Sequence, residues 1–169
     1  MDKIWLQSYQ KGVPAEVDLS EFQSLGELFE KSVSQYRDRV AYISMGAQMT
    51  YGELDRLSRD FAAYLQSVLK LPQGARVAVM MPNVLQYPIC IFGALRAGYV
   101  VVNVNPLYTP RELEHQLKDS GTDVIVILEN FAVTLEQVVA RTPVKHIVVA
   151  RLGDMLPFPK GAVVNFVVK

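Results

Sequence analysis

Several features that would assign this chain to a particular class of protein are scarce or absent. It has one cysteine, Cys90, so no disulfide can form within the chain and a reducing compartment is expected. Its 17 basic and 17 acidic side chains cancel, which argues against a nucleic-acid partner. No apolar run approaches the ~20 residues that span a bilayer, and the first residues lack the pattern of a signal peptide. We therefore expect a cytoplasmic globular protein.

Residues with the chemistry of metal binding or nucleophilic catalysis are also few. The chain has two histidines, and only Glu112 with His115 has a spacing that a metal could use on a helix. One such pair does not complete a zinc site, and no Gly-x-Ser-x-Gly elbow is present. Cys90 lies in an apolar run, where a buried hydrophobic role is expected. We predict no metal ligand, no cofactor-binding residue and no catalytic residue in this sequence.

The apolar pattern predicts strands that alternate with helices after an irregular arm at residues 1–23. The predicted strands are 40–44, 48–50, 76–81, 99–104, 123–128 and 146–150, and the predicted helices are 24–37, 50–68, one starting between 83 and 88, 110–119 and 131–141. Residues 152–160 are predicted to be a loop, and 163–168 suit either a strand or a helix. This alternation is typical of parallel strands with helices on both faces. We predict an α/β fold, a three-layer sandwich with a mainly parallel sheet, over residues 24–169.

Local signals support several of these boundaries. Three Ser or Thr residues each stand three positions before a glutamate, the pattern of a capping box at a helix start. The pairs are Ser24 with Glu27, Thr50 with Glu53, and Thr109 with Glu112. Gly98 stands where a helix must close in the left-handed conformation that glycine adopts easily.

The stretch from residue 103 to 115 has the pattern of the carboxyl end of a buried strand that leads through a turn into a helix. In parallel sheets, ligands gather beyond the carboxyl ends of the strands. Asn105, Tyr108 and Thr109 are therefore our candidates for a substrate cleft. The alternative is purely structural: Asn105 makes the turn with Pro106, and Thr109 caps the helix.

Three short stretches, taken together, resemble the amino-terminal part of the AMP-forming acyl-adenylating enzymes. They are Met-Thr-Tyr-Gly-Glu-Leu at 49–54, Leu-Arg-Ala-Gly at 95–98 and Val-Asn-Val-Asn-Pro at 102–106. This family includes acyl-CoA synthetases, the adenylation domains of peptide synthetases, and luciferase. Lys-Ile-Trp-Leu at 3–6 further resembles the start of bacterial long-chain-fatty-acid–CoA ligases, and the likeness extends along essentially the whole chain.

The resemblance implies the N-terminal subdomain of the acyl-adenylate-forming fold. The parent enzyme would use ATP, Mg²⁺ and CoA to convert a fatty acid into its acyl-CoA, with release of AMP and pyrophosphate. It also implies a homodimer and peripheral contact with the inner face of the cell membrane. Two alternatives stay open: a ligase of an aromatic acid or an amino acid, and a free-standing α/β binding domain.

The family's ATP-binding loop, rich in Thr, Ser and Gly and ending in lysine, has no counterpart here. Pro-Lys-Gly at 159–161 matches only its tail, because residues 152–158 contain no Ser or Thr. Ser-Gly-Thr at 120–122 ends a helix, whereas a phosphate-binding turn enters one. We therefore expect a truncated N-terminal piece that is inactive by itself and binds none of these cofactors.

Overall fold

A four-stranded parallel sheet organises most of the chain in the computed structural model, which describes residues 2–18 and 20–168. Its strands are β3 (Arg76–Met80), β4 (Val100–Asn103), β5 (Val124–Leu128) and β6 (His146–Ala150), in the spatial order β4-β3-β5-β6. Strands β1 (Val40–Ser44) and β2 (Ala47–Thr50) form a separate antiparallel hairpin. The predicted mainly parallel sheet is confirmed.

Helices precede, connect or follow these strands. They are α1 (Leu25–Gln35), α2 (Tyr51–Ala63), α3 (Gln86–Arg96), α4 (Pro110–Ser120), α5 (Ala132–Glu136) and α6 (Lys160–Val167). Residues 2–18 contain one short 3-10 helix, Ile4–Ser8, and are otherwise irregular.

Two apolar cores lie on opposite faces of the parallel sheet, because successive residues of a strand point to opposite sides. On one face, Val77 and Val79 pack with Cys90 and Ala94 of α3. On the other face, Ala78 and Met80 pack with Leu113 and Leu117 of α4, and with α5. A third core joins α1, the hairpin, α2 and α3. The predicted three-layer arrangement is therefore correct.

The capping boxes at Thr50 and Thr109 form completely, with the threonine hydroxyl and the glutamate each accepting a backbone N–H. The box at Ser24 forms only in part. Ser24 accepts the N–H of Glu27 at 3.1 Å, but the Glu27 carboxylate accepts the N–H of Gln23 at 2.8 Å. Ser24 is therefore the N-cap of α1. The Glu27 carboxylate instead binds the backbone N–H of Gln23, the residue before the cap.

The single helix predicted at 131–141 is wrong. A 3-10 turn at Glu129–Phe131 leads into α5, which ends at Glu136, and a second 3-10 turn follows at Val139–Arg141. β-Branched residues are frequent here, at 133, 134, 138 and 139, and they lower helix propensity. The buried side chains of Leu135 and Val138 are three residues apart, a spacing that suits a 3-10 turn.

Two further boundaries differ from the predictions. The regular part of α2 ends at Ala63 and continues as a π-helical turn, Tyr64–Val68, that places Leu65 in the core. Helix α6 starts at Lys160, inside the segment predicted to be a loop, and the undecided residues 163–167 are helical. Most apolar side chains of this segment are exposed, among them Val163, Phe166 and Val167, so their spacing did not distinguish a helix from a strand.

Arg96, near the end of α3, joins that helix to α2. Its guanidinium donates to the Asp55 carbonyl at 2.9 Å, to the Asp55 carboxylate at 3.0 Å and to the Ser58 hydroxyl at 3.0 Å. Burial raises the pKa of the Asp55 carboxyl, but hydrogen bonds from Arg59 and Arg96 outweigh this and hold the pKa below its usual value. Arg96 and Asp55 therefore form an ion pair between α3 and α2, and water has little access to it.

Gly98 adopts φ +80°, as predicted for a glycine that closes a helix. An added Cβ would meet only Gln73 Cγ at 3.9 Å, so the backbone conformation alone opposes a side chain. Gly98→Ala is expected to lower the free energy of unfolding by about 1 kcal/mol. Gly26→Ala is the control, because Gly26 lies in α1 without a positive φ and an added Cβ has room there. Equal urea midpoints for the two variants would contradict the expectation.

Candidate functional site

The carboxyl ends of the parallel strands meet at one edge of the sheet, and three loops emerge there: 81–85 after β3, 104–109 after β4 and 129–131 after β5. Helix α3 leaves β3 towards one face, whereas α5 lies on the opposite face after β5. Since β3 and β5 are neighbours, the chain turns to opposite faces of the sheet on either side of this strand pair, and ligands of such sheets usually bind at that position. The predicted grouping of these loops is confirmed.

The sequence-predicted residues lie on the loop after β4. Asn105 Oδ1 accepts the N–H of Leu107 at 3.0 Å, and the Thr109 hydroxyl donates to the Glu112 carboxylate at 2.7 Å. Both polar groups are therefore engaged in shaping the loop and the start of α4. The Tyr108 ring is half-buried against the core beside α4.

Tyr108 borders a shallow depression of about 240 Å³ beside α4. Its other walls are Glu112, His115, Gln116 and Asp119. The Thr109 hydroxyl and backbone N–H lower the pKa of the Glu112 carboxyl, so Glu112 is committed to the cap. Gln116 Oε1 is buried without a hydrogen-bond partner in the described part of the chain, which leaves an unused acceptor below the depression.

Asn103, the last residue of β4, is held from both sides of the sheet. The Tyr87 hydroxyl at the start of α3 donates to Asn103 Oδ1 at 3.0 Å. The Gln116 side-chain amide of α4 donates to the Asn103 carbonyl at 2.9 Å. These two bonds fix the direction in which the chain leaves β4 and hence the position of the loop that carries Tyr108. Tyr87 and Gln116 were not predicted, because no local sequence pattern pairs either of them with Asn103.

Residues after β6 cover part of the loop after β5. The buried Gln86 amide donates to the Arg151 carbonyl at 2.8 Å, and the Arg151 guanidinium lies 3.5 Å from the Glu129 carboxylate. The Asn130 amide donates to the Val168 carbonyl at the end of α6, at 2.8 Å. These polar groups at the carboxyl edge of the sheet are therefore paired with residues that follow β6.

An apolar pocket of about 350 Å³ lies beside the loop after β3. Its walls come from β1, from residues 83–85 and from α3, with Tyr42, Ile91 and Phe92 among them. No local sequence pattern predicts this pocket, because its walls are brought together only by tertiary packing.

The chemistry available at this edge is limited. The three loops contain no glycine with which to cradle a phosphate at a helix start. No group of three His, Cys, Asp or Glu suited to a metal ion occurs among the residues that the structure describes. Burial raises the pKa of the Cys90 thiol to about 12, which makes it a poor nucleophile. The amides, hydroxyls and apolar side chains at this edge suit the positioning of a substrate more than the making of a covalent bond.

Comparisons with known proteins identify the family of this chain. Residues 29–167 match the family described as AMP-binding enzyme. The chain is 58% identical over all 169 residues to a long-chain-fatty-acid–CoA ligase of Escherichia coli O6:H1, and 57% identical over the same length to one of Haemophilus influenzae. It spans 30% of the length of each.

The fold also matches solved structures. The anthranilate CoA ligase AuaEII superposes with a TM-score of 0.73 at 20% identity, over 79% of this chain and 26% of that protein. At that identity the likeness establishes the fold alone.

Proposed function

This chain belongs to the AMP-binding enzyme family, and from that premise we propose that it is the N-terminal part of a long-chain fatty-acid–CoA ligase. The observation that carries the proposal is 57–59% identity, over every residue of the chain, to such ligases from several bacteria. Their greater length supports a part of a larger enzyme over a free-standing binding domain. The same identity favours a fatty acid over the aromatic or amino acids considered as alternatives.

The reaction that we propose for the whole enzyme activates a carboxylate in two steps. The fatty-acid carboxylate oxygen attacks the α-phosphorus of ATP, which forms an acyl adenylate and releases pyrophosphate. The thiol sulfur of CoA then attacks the acyl carbon, and AMP leaves with the carboxylate oxygen. Mg²⁺ bound to ATP would offset the phosphate charge. Because the described residues offer no metal-binding group and no glycine-rich loop, we place the ATP and Mg²⁺ sites in the remainder of the enzyme.

The contribution of this chain is a scaffold and one wall of the substrate cleft. Asn105 and Thr109 would hold the loop after β4 in place, and Tyr108 would present its ring to the cleft. The hydrogen bonds that fix Asn103 from both sides support this role, since they set the position of the loop.

Further proposals concern location and assembly. We propose a cytoplasmic homodimer that makes peripheral contact with the inner face of the cell membrane. In the part of the chain that the structure describes, no helix combines the length and apolarity that crossing a membrane requires. The arm has exposed apolar side chains, Trp5 and Tyr9 among them. They support a contact with a second subunit or with the membrane surface.

The test uses a chimera in which residues 1–169 replace the matching part of the E. coli relative. The chimera is expected to exchange pyrophosphate into ATP when a long-chain fatty acid is added, and much less when benzoate or anthranilate is added. The isolated chain is expected to show no exchange, because it lacks a phosphate-binding loop. Tyr108→Ala should lower kcat/KM for the fatty acid about tenfold by misplacing substrate, whereas the exposed control Val133→Ala should not. A folded but inactive chimera would reject the proposal, as would exchange by the isolated chain.

A further inference from the structure

The peptide unit between Asn103 and Val104 is the last one of β4 before the loop that carries Tyr108. Its N–H, which belongs to Val104, donates to the Val79 carbonyl of β3 at 3.1 Å. The C=O and N–H of a trans peptide point in opposite directions, so the Asn103 carbonyl faces away from β3. That carbonyl accepts the side-chain amide of Gln116 at 2.9 Å. Both polar groups of this peptide unit are therefore bonded, one by a strand and one by a helix.

The Asn103 side chain is held by the helix on one face of the sheet. Side chains alternate along β4, so Asn103 points to the same face as Val101, which packs with the core beneath α3. On that face, Asn103 Oδ1 accepts the Tyr87 hydroxyl at 3.0 Å. Gln116 belongs to α4, which covers the opposite face. Asn103 therefore cannot rotate or shift without breaking a bond to one of the two helices.

The loop that follows this peptide unit is closed by its own hydrogen bonds. The Asn105 carbonyl accepts the N–H of Tyr108 at 3.2 Å, and Asn105 Oδ1 accepts the N–H of Leu107 at 3.0 Å. A turn closed in this way moves as one piece, so its direction is set where it joins the sheet. The Tyr108 ring, which is half-buried beside α4, follows that direction.

We propose that Tyr87 and Gln116 are substrate-positioning residues, which act through Asn103 and the loop after β4 to place Tyr108 in the cleft. The inference rests on the proposed function, because it takes Tyr108 as part of one wall of the cleft. Neither Tyr87 nor Gln116 touches the substrate. A small rotation of the 103–104 peptide unit displaces the Tyr108 ring, and small displacements at a binding site weaken substrate binding and orientation.

The second polar group of Gln116 supports a role other than stability. Gln116 Oε1 is buried without a hydrogen-bond partner in the described residues, and an unpaired buried acceptor opposes folding. This cost offsets the stabilising bond that the amide of the same side chain donates to Asn103. Methionine has a similar length and removes both groups. Gln116→Met is therefore expected to change the position of the loop more than the stability of the chain.

Amide hydrogen exchange of the isolated chain, resolved residue by residue by NMR, tests the positioning without catalysis. The Val104 amide is expected to exchange about fivefold faster in Tyr87→Phe and in Gln116→Met than in the parent chain. Each variant loses one hydrogen bond that holds the 103–104 peptide unit, which favours local opening at the end of β4. Unchanged exchange of Val104 in both variants would overturn the proposal.

Two matched controls lie near the other end of β4. The Tyr99 hydroxyl donates to the Leu71 carbonyl at 3.2 Å, and the Gln66 side-chain amide donates to the Ala97 carbonyl at 3.4 Å. Tyr99→Phe and Gln66→Met remove the same kinds of bond away from the loop, so Val104 should exchange as it does in the parent chain. Equal acceleration of Val104 by these controls would show a general loss of stability and reject the positioning role.

The kinetics of the chimera test the effect on substrate. Tyr87→Phe and Gln116→Met should each raise KM for the long-chain fatty acid about fivefold in pyrophosphate exchange and leave KM for ATP unchanged. A purely structural loss would lower the active fraction, and hence the maximal rate, without shifting one KM alone. In a Tyr108→Ala background, neither substitution should raise KM further, since both act through that ring. An unchanged KM for the fatty acid, or an equal rise for ATP, would contradict the proposal.

Substitutions of Asn103 provide the conservative rescue and separate the two proposals. Asn103→Asp keeps an oxygen that accepts the Tyr87 hydroxyl and Asn103→Leu does not, so only Asn103→Leu should reproduce Tyr87→Phe. Equal effects of the two would exclude the bond as the cause. A chimera without exchange dependent on fatty acid would reject the proposed function, and Val104 would still decide whether Tyr87 and Gln116 hold the loop. An active chimera whose variants keep the parent KM would reject this inference alone.

Discussion

Arg96→Met is expected to lower the free energy of unfolding by about 3 kcal/mol, because it leaves the buried Asp55 carboxylate without its main interhelical partner. The side chains of Arg96 and Asp55 are each only 11% exposed, and three hydrogen bonds join Arg96 to α2. Methionine keeps much of the apolar stem but supplies no donor. Chemical denaturation of the isolated chain measures the loss.

Arg59→Met is the matched control. Arg59 also binds the Asp55 carboxylate, at 2.5 Å, but its own side chain is 68% exposed and water can replace it. Its loss should therefore lower stability by less than about 1 kcal/mol. Equal losses for the two variants would show that burial of the Arg96 pair does not determine its contribution.

The pH dependence of stability provides a second check on this pair. The Asp55 pKa is lowered in the folded state from an ordinary value of 3.8, so the pair stabilises the fold above that value. This contribution is lost as the pH falls through the folded-state pKa and Asp55 becomes protonated. The stability difference between the parent chain and Arg96→Met should therefore be full at neutral pH and should shrink below about pH 4. A difference that stays constant down to pH 2 would contradict the assignment.

The parts of the fold that were predicted correctly depend on short-range patterns. The Val100–Asn103 strand has consecutive β-branched residues, and the boxes at Thr50 and Thr109 lie within four residues of sequence. Alternation of strands and helices then limits the connections to right-handed crossovers, which places the strand-end loops at one edge. That is why the edge at which these loops meet could be predicted from sequence, whereas the substrate cleft at that edge stays a prediction.

The missed features depend on residues far apart in sequence. Asp55 and Arg96 are 41 positions apart, and Tyr87 reaches Asn103 only because α3 packs beside β4. The apolar pocket likewise needs β1 to lie against α3. The helix predicted at 131–141 failed for a different reason. Its apolar residues suited a helix, but packing of Leu135 and Val138 favoured tighter turns.

Gly93→Ala is expected to destabilise the chain by about 2 kcal/mol, although alanine normally favours a helix by up to about 1 kcal/mol over glycine. Gly93 lies in α3 where that helix approaches α2. A Cβ placed there would be 2.8 Å from the Ser58 carbonyl oxygen and 2.8 Å from Phe61 Cδ1. The two helices would have to separate, which would also disturb the buried contacts of Arg96.

A double-mutant cycle with Phe61→Ala distinguishes the ring contact of that Cβ from the carbonyl contact. Alanine removes Cδ1 with the rest of the ring, but the Ser58 carbonyl belongs to the backbone of α2 and cannot move away alone. We therefore expect Gly93→Ala to cost less in the Phe61→Ala background than in the parent chain, but still to destabilise. Full rescue would assign the clash to the ring alone. A stabilising effect of Gly93→Ala in the parent chain would mean that α2 and α3 are farther apart than the structure places them.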